Sequence, residues 1–175
     1  MPIDTSLKFV PINIVILTIS DTRTPDTDTS GALLEKRIIS AGHNCIEKKI
    51  IPDDVKLIRE TLQALSNKEE IDCIITSGGT GLTGRDTTPE AVIEIADKTI
   101  EGFGELFRQI SFSKIGTSAI QSRALAALIN TTYVFCLPGS NGACKDGWDE
   151  ILKYQLDIRH RPCNFVEIMP RLSEK

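Results

Sequence analysis

One segment of this chain combines backbone amides and a carboxylate in a way that suits the handling of phosphate. It reads Ser77-Gly78-Gly79-Thr80-Gly81-Leu82-Thr83-Gly84-Arg85-Asp86-Thr87-Thr88-Pro89-Glu90-Ala91. Gly78, Gly79 and Gly81 allow tight backbone turns and close approach of a ligand to the main chain. Their N–H groups can converge on an anion, and a strand, a glycine loop and then a helix is a recurrent phosphate-holding arrangement. Asp86 adds something that an anion site alone does not need. A carboxylate beside phosphates suggests a bridging cation, usually Mg²⁺. The loop therefore points to a phosphorylated ligand plus metal, and so to phosphoryl or nucleotidyl transfer.

The elements that must position this loop are legible as hydrophobic runs. Ile12–Ile19, Cys45–Ile51, Asp72–Thr76 and Thr132–Leu137 read as strands. Three of the four are nearly continuous apolar runs, as expected of a parallel sheet covered on both faces. Helices alternate with them. Leu34, Ile38 and Ala41 mark one helix, stopped by Gly42, and Val55, Ile58, Leu62 and Leu65 mark a second. Thr88-Pro89 opens a third, in which Val92, Ile95 and Ala96 face inward. Further helices are expected over Ser118–Ile129 and through Trp148, Ile151, Leu152 and Leu156. The alternation predicts a single-domain α/β fold over residues 1–175, a doubly wound, mostly parallel sheet with helices on both faces. Gly102–Thr117 stands apart, because half of the six phenylalanines lie in it. It reads either as a core helix followed by a loop or as an apolar subunit contact.

In such a sheet, ligands bind beyond the carboxyl ends of the strands. Four polar loops leave those ends: Ser20-Asp21-Thr22-Arg23 running on to Asp28-Thr29-Ser30-Gly31, Pro52-Asp53-Asp54, the glycine loop, and Pro138-Gly139-Ser140-Asn141-Gly142. Each has a plain structural reading. Asp53 or Asp54 could cap the second helix, Asp86 could be a turn residue, and Ser140 or Asn141 could cap the last helix. Four such loops meeting on one edge point to a site. The glycine loop lacks the Gly-Lys-Ser/Thr ending of a Walker A motif. Gly79-Thr80-Gly81-Leu82-Thr83-Gly84 has the spacing of a dinucleotide fingerprint, but Pro89 starts the helix too late for one.

Composition bounds the rest. The chain has 175 residues, 41% apolar and 25% charged, with a formal charge of −4. That balance argues against broad binding to nucleic acid or anionic membrane. No signal segment is evident in Met1–Pro11, and Ile12–Ile19 is too short to span a bilayer. The five cysteines show no C-x-x-C pair and no zinc spacing, which fits a reducing, cytoplasmic setting. Cys73 and Cys136 read as small core residues, and His43 and His160 as surface or packing residues.

The chain resembles the MoaB/MogA family of molybdenum cofactor biosynthesis. The resemblance rests on Ser77-Gly78-Gly79-Thr80-Gly81 with Arg85-Asp86-Thr87-Thr88-Pro89-Glu90-Ala91. Glu101-Gly102-Phe103-Gly104-Glu105, Leu137-Pro138-Gly139-Ser140, Thr18-Ile19-Ser20-Asp21 and Asp28-Thr29-Ser30-Gly31 extend it. It spans roughly Pro11–Pro162. Gln121-Ser122-Arg123-Ala124 and Arg161-Pro162-Cys163-Asn164-Phe165 look more like the MoaB branch. The resemblance implies that ATP and Mg²⁺ activate the terminal phosphate of molybdopterin, giving adenylyl-molybdopterin and pyrophosphate. It implies Asp53 and Asp86 as catalytic residues and metal ligands, and Thr76, Ser77, Gly78, Gly79, Thr80, Gly81, Pro138, Gly139, Ser140 and Asp21 as substrate-binding residues. Arg23 and Arg85 read equally well as solvated loop charges. The resemblance also implies a homotrimer or homohexamer that hands its product to a molybdate-insertion protein. A molybdopterin-binding or carrier protein without catalysis is the alternative.

Overall fold

A computed structural model of the chain describes residues 3–174. The ends of the 1–175 domain reading and the start of the Met1–Pro11 segment lie outside the described residues. The elements run β1 (Asn13–Ile19), α1 (Thr29–Ser40), β2 (Asn44–Ile51), α2 (Val55–Ser66), β3 (Cys73–Ser77), α3 (Thr88–Ile95), β4 (Lys98–Thr99), α4 (Glu101–Ile115), β5 (Leu125–Ile129), β6 (Thr132–Leu137) and α5 (Asn141–Asp146). Beyond α5 the helix runs on with a widened turn over Gly147–Leu152 and a last turn at Lys153–Gln155. A short helix at Phe165–Ile168 follows.

The six strands form one sheet in the order β2-β1-β3-β6-β5-β4. β2, β1, β3 and β6 are parallel, and β5 runs antiparallel to both β6 and β4. This is the doubly wound α/β fold that the hydrophobic runs predict. Successive side chains of a strand point to opposite faces, and β1 shows the consequence. Ile14 and Ile16 enter a core layer with Leu34, Ile38, Phe103, Phe107, Phe135 and Trp148. Val15, Leu17 and Ile19 enter the other layer with Ile58, Leu62, Val92 and Val134. Because each face is covered by helices, every residue from Ile14 to Ile19 must be buried, and the run loses polar alternation. β2, at the edge, keeps charged residues such as Glu47, Lys48 and Lys49.

The helix expected over Ser118–Ile129 is not there. Gly116–Gln121 forms a short 3₁₀ segment and Leu125–Ile129 is the strand β5. The Ala- and Leu-rich composition favours helix locally, but the segment is buried on both sides: Ala124, Ala126 and Leu128 face one layer, Leu125, Ala127 and Ile129 the other. Tertiary burial overrides local propensity here. Asn130, at φ 54°, turns the chain directly into β6, with Ile129 opposite Thr132. The two-residue strand β4 also carries no sequence signal strong enough to predict it.

Neutral amides and carboxylates knit the amino-terminal edge of the sheet. Asn44 Nδ2 donates to Asn13 Oδ1, Asn13 Nδ2 to the Glu70 carbonyl and Asn130 Nδ2 to Asn67 Oδ1. The Asn13 and Asn130 N–H groups donate to Asp72 and Asp97. The histidines are packing residues. His43 Nδ1 accepts from the Ile12 N–H, and burial pushes its imidazole down to about 4. His160 is likewise buried, beside Tyr154. Cys73 and Cys136 are fully buried. α4 resolves the two readings of Gly102–Thr117 into two faces: Phe103 and Phe107 are core, while Leu106, Phe112 and Ile115 are exposed. No described helix is long and apolar enough to cross a membrane.

Leu62, fully buried on α2, tests the second layer. Leu62→Ala is expected to cost roughly 2–5 kcal/mol, read as a lower urea midpoint with native-like circular dichroism before the transition.

Candidate functional site

The chain reverses its direction of travel across the sheet between β1 and β3, which is where an open α/β sheet leaves a crevice. β3 ends at Ser77, and the Gly78 N–H donates to the Leu137 carbonyl at 3.0 Å. Gly78 then turns at φ 109°, with the Ile19 carbonyl oxygen standing where a Cβ would be. Gly79, at φ 62°, turns again. A methyl there would collide with Thr88 Oγ1 and lie 2.7 Å from Asp53 Oδ2. These two positions admit only glycine, and the double turn leads the backbone back over the crevice. Among the described residues, the Gly79 and Thr80 N–H groups donate to no protein acceptor.

The four loops meet as expected from the sequence. The Asp53 N–H donates to Asp21 Oδ1 at 3.2 Å. Arg85 grips the same Asp21 carboxylate with two bonds of 3.0 and 2.7 Å. Arg23 Nη2 donates to the Gly139 carbonyl at 2.7 Å and its Nη1 pairs with Asp28 at 3.0 Å. Ser30 Oγ lies 2.9 Å from Ser77 Oγ. The first, third and fourth of these loops border a cavity of about 610 Å³ lined by Ser77, Gly78, Gly79, Thr80, Gly81, Asp86, Pro138, Gly139 and Ser140. That volume suits a ligand of small-molecule size. Arg23 and Ser20 also line it, and α4 adds Phe107, Ser111, Lys114 and Ile115. Lys114 pairs with Asp146 of α5, so a charged pair flanks the more apolar end.

Not every expected residue faces that cavity. Asp53 lies beneath Gly79, 7% exposed, rather than on the lining. Asp21 sits one shoulder away, in a neighbouring cleft with Pro52. Thr76 is fully buried within β3. The contributions of Ser111, Lys114 and Asp146 carry no signal in the sequence, because their spacing on α4 and α5 is that of ordinary helix residues.

The plain structural readings hold in part. Asp54, not Asp53, caps α2, accepting from the Leu57 N–H at 2.8 Å. Ser140 caps α5 through the Ala143 N–H. Asp86 Oδ2 accepts from the Thr83 N–H and hydroxyl at 2.9 and 2.6 Å, as a turn carboxylate would. Thr87 is the residue at the start of α3, yet its hydroxyl does not cap the helix. It donates instead to Asp53 Oδ1 at 2.9 Å, alongside the Thr87 N–H at 3.2 Å. A local rule is broken to hold one carboxylate, as happens at functional sites.

The carboxylates differ in electrostatic state. Hydrogen bonds from Thr83, above all from its hydroxyl, hold Asp86 below the usual range. Arg85 does the same for Asp21. For Asp28, burial pushes the carboxyl up but bonds from Gly31, Thr18, Arg23 and Ser30 outweigh it. Asp53 goes the other way. Burial raises it, the Thr87 bonds only partly compensate, and the charges of Asp86 and Asp21 raise it further. A carboxyl pushed up beside a second carboxyl held down makes this corner a candidate functional site.

Residues 15–158 match the family described as "Probable molybdopterin binding domain". The Molybdenum cofactor biosynthesis protein B of Escherichia coli (strain K12) is 44% identical over 160 residues, covering 91% of this chain and 94% of that protein. The chain belongs to the molybdenum cofactor biosynthesis protein B family. Among solved structures, a crystal structure of Molybdenum cofactor biosynthesis protein B is 40% identical, with a TM-score of 0.85 over 95% of this chain and 98% of the other. The tungsten cofactor synthesizing protein MoaB from Pyrococcus furiosus is 34% identical, with a TM-score of 0.70 over 81% of this chain and 91% of its own. Membership of this family assigns the chain to molybdenum cofactor biosynthesis.

Asp53 yields a stability prediction whose sign follows from its raised carboxyl. Protonation favours the folded state, so the ionised form present at neutral pH costs stability. Asn keeps an acceptor for Thr87 without the charge. Asp53→Asn is therefore expected to raise the urea midpoint at pH 7, and the gain should vanish as pH falls through the carboxylate range.

Proposed function

We propose that the chain is a molybdopterin adenylyltransferase, a single molybdopterin-binding domain over residues 1–175. The observation that carries this reading is the placement of Asp53 and Asp86 against one glycine loop whose Gly79 and Thr80 N–H groups are free to take anionic oxygens. In the reaction, a terminal phosphate oxygen of molybdopterin bonds to the α-phosphorus of ATP. The bond from that phosphorus to the pyrophosphate oxygen breaks, and adenylyl-molybdopterin and pyrophosphate leave. The nucleophile is already ionised near pH 7, so the site needs no strong base. Its task is to bring two anions together and hold them in line.

Each residue has a part in that task. The free amides of Gly79 and Thr80 hold phosphate oxygens, with Gly78 and Gly81 shaping the loop and Thr76 and Ser77 supporting it from β3. Pro138, Gly139 and Ser140 contact ligand from the opposite wall, and Asp21, locked by Arg85, braces the Asp53 backbone. Asp86, with Asp53, would hold Mg²⁺. No described group of three His, Cys, Asp or Glu residues forms a closed metal site. Two carboxylates do fit Mg²⁺, which takes one or two from the protein and fills its remaining positions with substrate phosphates and water. Bound there, the ion would offset the negative charge gathered at the reacting phosphates.

We further propose that the exposed apolar residues Phe112, Ile115 and Ile120 (60%, 58% and 84% exposed) mediate assembly into a trimer or hexamer. The oligomer would work in the cytoplasm and pass its product to a molybdate-insertion protein. Ile120→Asp is expected to lower the mass measured by light scattering.

The reaction itself is tested with purified protein, molybdopterin and Mg-ATP. Wild-type protein is expected to release pyrophosphate and form adenylyl-molybdopterin. Asp53→Asn and Asp86→Asn should each lose about a hundred-fold or more, as when a preorganised electrostatic group is removed. Molybdopterin binding by wild-type protein without turnover would instead identify a non-catalytic binding or carrier protein.

A further inference from the structure

Arg123 lies outside the lining of the main cavity, yet it joins both ends of the loop that carries Asp86. Its Nε donates to the Gly81 carbonyl at 2.7 Å and its Nη2 to the Asp86 carbonyl at 2.6 Å. Nη1 pairs with the Glu90 carboxylate in the first turn of α3. Between the two bridged carbonyls lie Leu82, Thr83, Gly84 and Arg85, all exposed. The ties within that span are the Thr83–Asp86 turn and the outward grip of Arg85 on Asp21. The Gly81 N–H also reaches the Asp86 carboxylate, and one guanidinium joins the carbonyls at the two ends of the loop. The planar guanidinium spreads its donors over three nitrogens, each on its own acceptor, whereas all three donors of a lysine sit on one nitrogen.

The topology explains how residue 123 arrives there. β5 runs antiparallel to β6, with Leu125 opposite Cys136. The residues that enter β5, rather than those that leave it, therefore stand at the carboxyl edge of the parallel strands. We infer that Arg123 is a positioning residue that fixes the Asp86 carboxylate by bridging the Gly81 and Asp86 carbonyls. Its kinetic consequence rests on the adenylyl transfer proposed above, whereas its effect on the loop does not.

Arg123→Met removes the bridge, and Arg123→Lys keeps the charge but loses the fork. Hydrogen exchange, read by mass spectrometry on the full chain, is expected to quicken about ten-fold or more over Leu82–Asp86 in both variants, with β3 unchanged. In turnover, kcat should fall about ten- to a hundred-fold, while KM for molybdopterin stays within about two-fold. Glu90→Gln, which spares both carbonyl bonds, should leave loop exchange close to wild type and keeps the test open if Arg123→Met folds poorly. Unchanged exchange over the loop in Arg123→Met and Arg123→Lys would overturn the inference. So would full retention of kcat in Arg123→Lys. Absence of turnover in the wild-type protein would remove the proposed reaction and leave the exchange result to decide the clamp alone.

Discussion

The approach of Gly78 to the carbonyl of Ile19 governs the carboxyl edge of this sheet. β1 and β3 are neighbours in register, Thr18 opposite Ser77, so the backbones leaving them have no room for a side chain between them. The chain leaves β3 through two successive left-handed turns, at Gly78 and Gly79. That path carries the loop over Asp53 and brings Gly139 within van der Waals reach, a Cβ there lying 3.1 Å from the Gly78 Cα. A site that depends on so tight a crossing is rigid before any ligand arrives. Preorganisation of this kind would serve the proposed transfer between two anions, because the donors need not be reordered as charge shifts.

The charged residues around that crossing are not interchangeable. Asp21 and Asp28 are consumed by Arg85 and Arg23 and serve to hold loops together. Asp86 is ionised and held by its own turn. Only Asp53 is both buried and pushed toward its neutral form. A nearby cation would relieve it more than any of the others. The physical asymmetry sets Asp53 apart from the other three carboxylates of this corner.

Much of this was readable in the sequence, for identifiable reasons. β1, β3 and β6 announce themselves because burial on both faces leaves unbroken apolar runs. The glycine loop is legible because two of its glycines have no substitute. The failure at Ser118–Ile129 is equally instructive. Alanine and leucine carry no mark of which partner will cover them, and alternation between two apolar layers looks the same as an apolar helix. That misreading also hid Arg123. Once Leu125–Ile129 is a strand antiparallel to β6, the residue two positions before it falls beside the glycine loop. The bond from Thr87 to Asp53 has no mark in the sequence either, because an unused cap shows only in the bond that replaces it.

The two ends of the sheet are stitched with different materials. Asparagine amides, and backbone N–H groups that donate to the Asp72 and Asp97 carboxylates, close the amino-terminal end, whereas guanidinium–carboxylate pairs such as Arg85–Asp21 and Arg123–Glu90, both partly exposed, close the other. Screening by dissolved ions weakens exposed charge pairs and leaves neutral hydrogen bonds almost untouched. Ionic strength therefore acts on this molecule unevenly. Concentrated salt would loosen the loops around the cavity while the far end of the sheet holds, so the binding end can soften in a medium that leaves the fold itself intact.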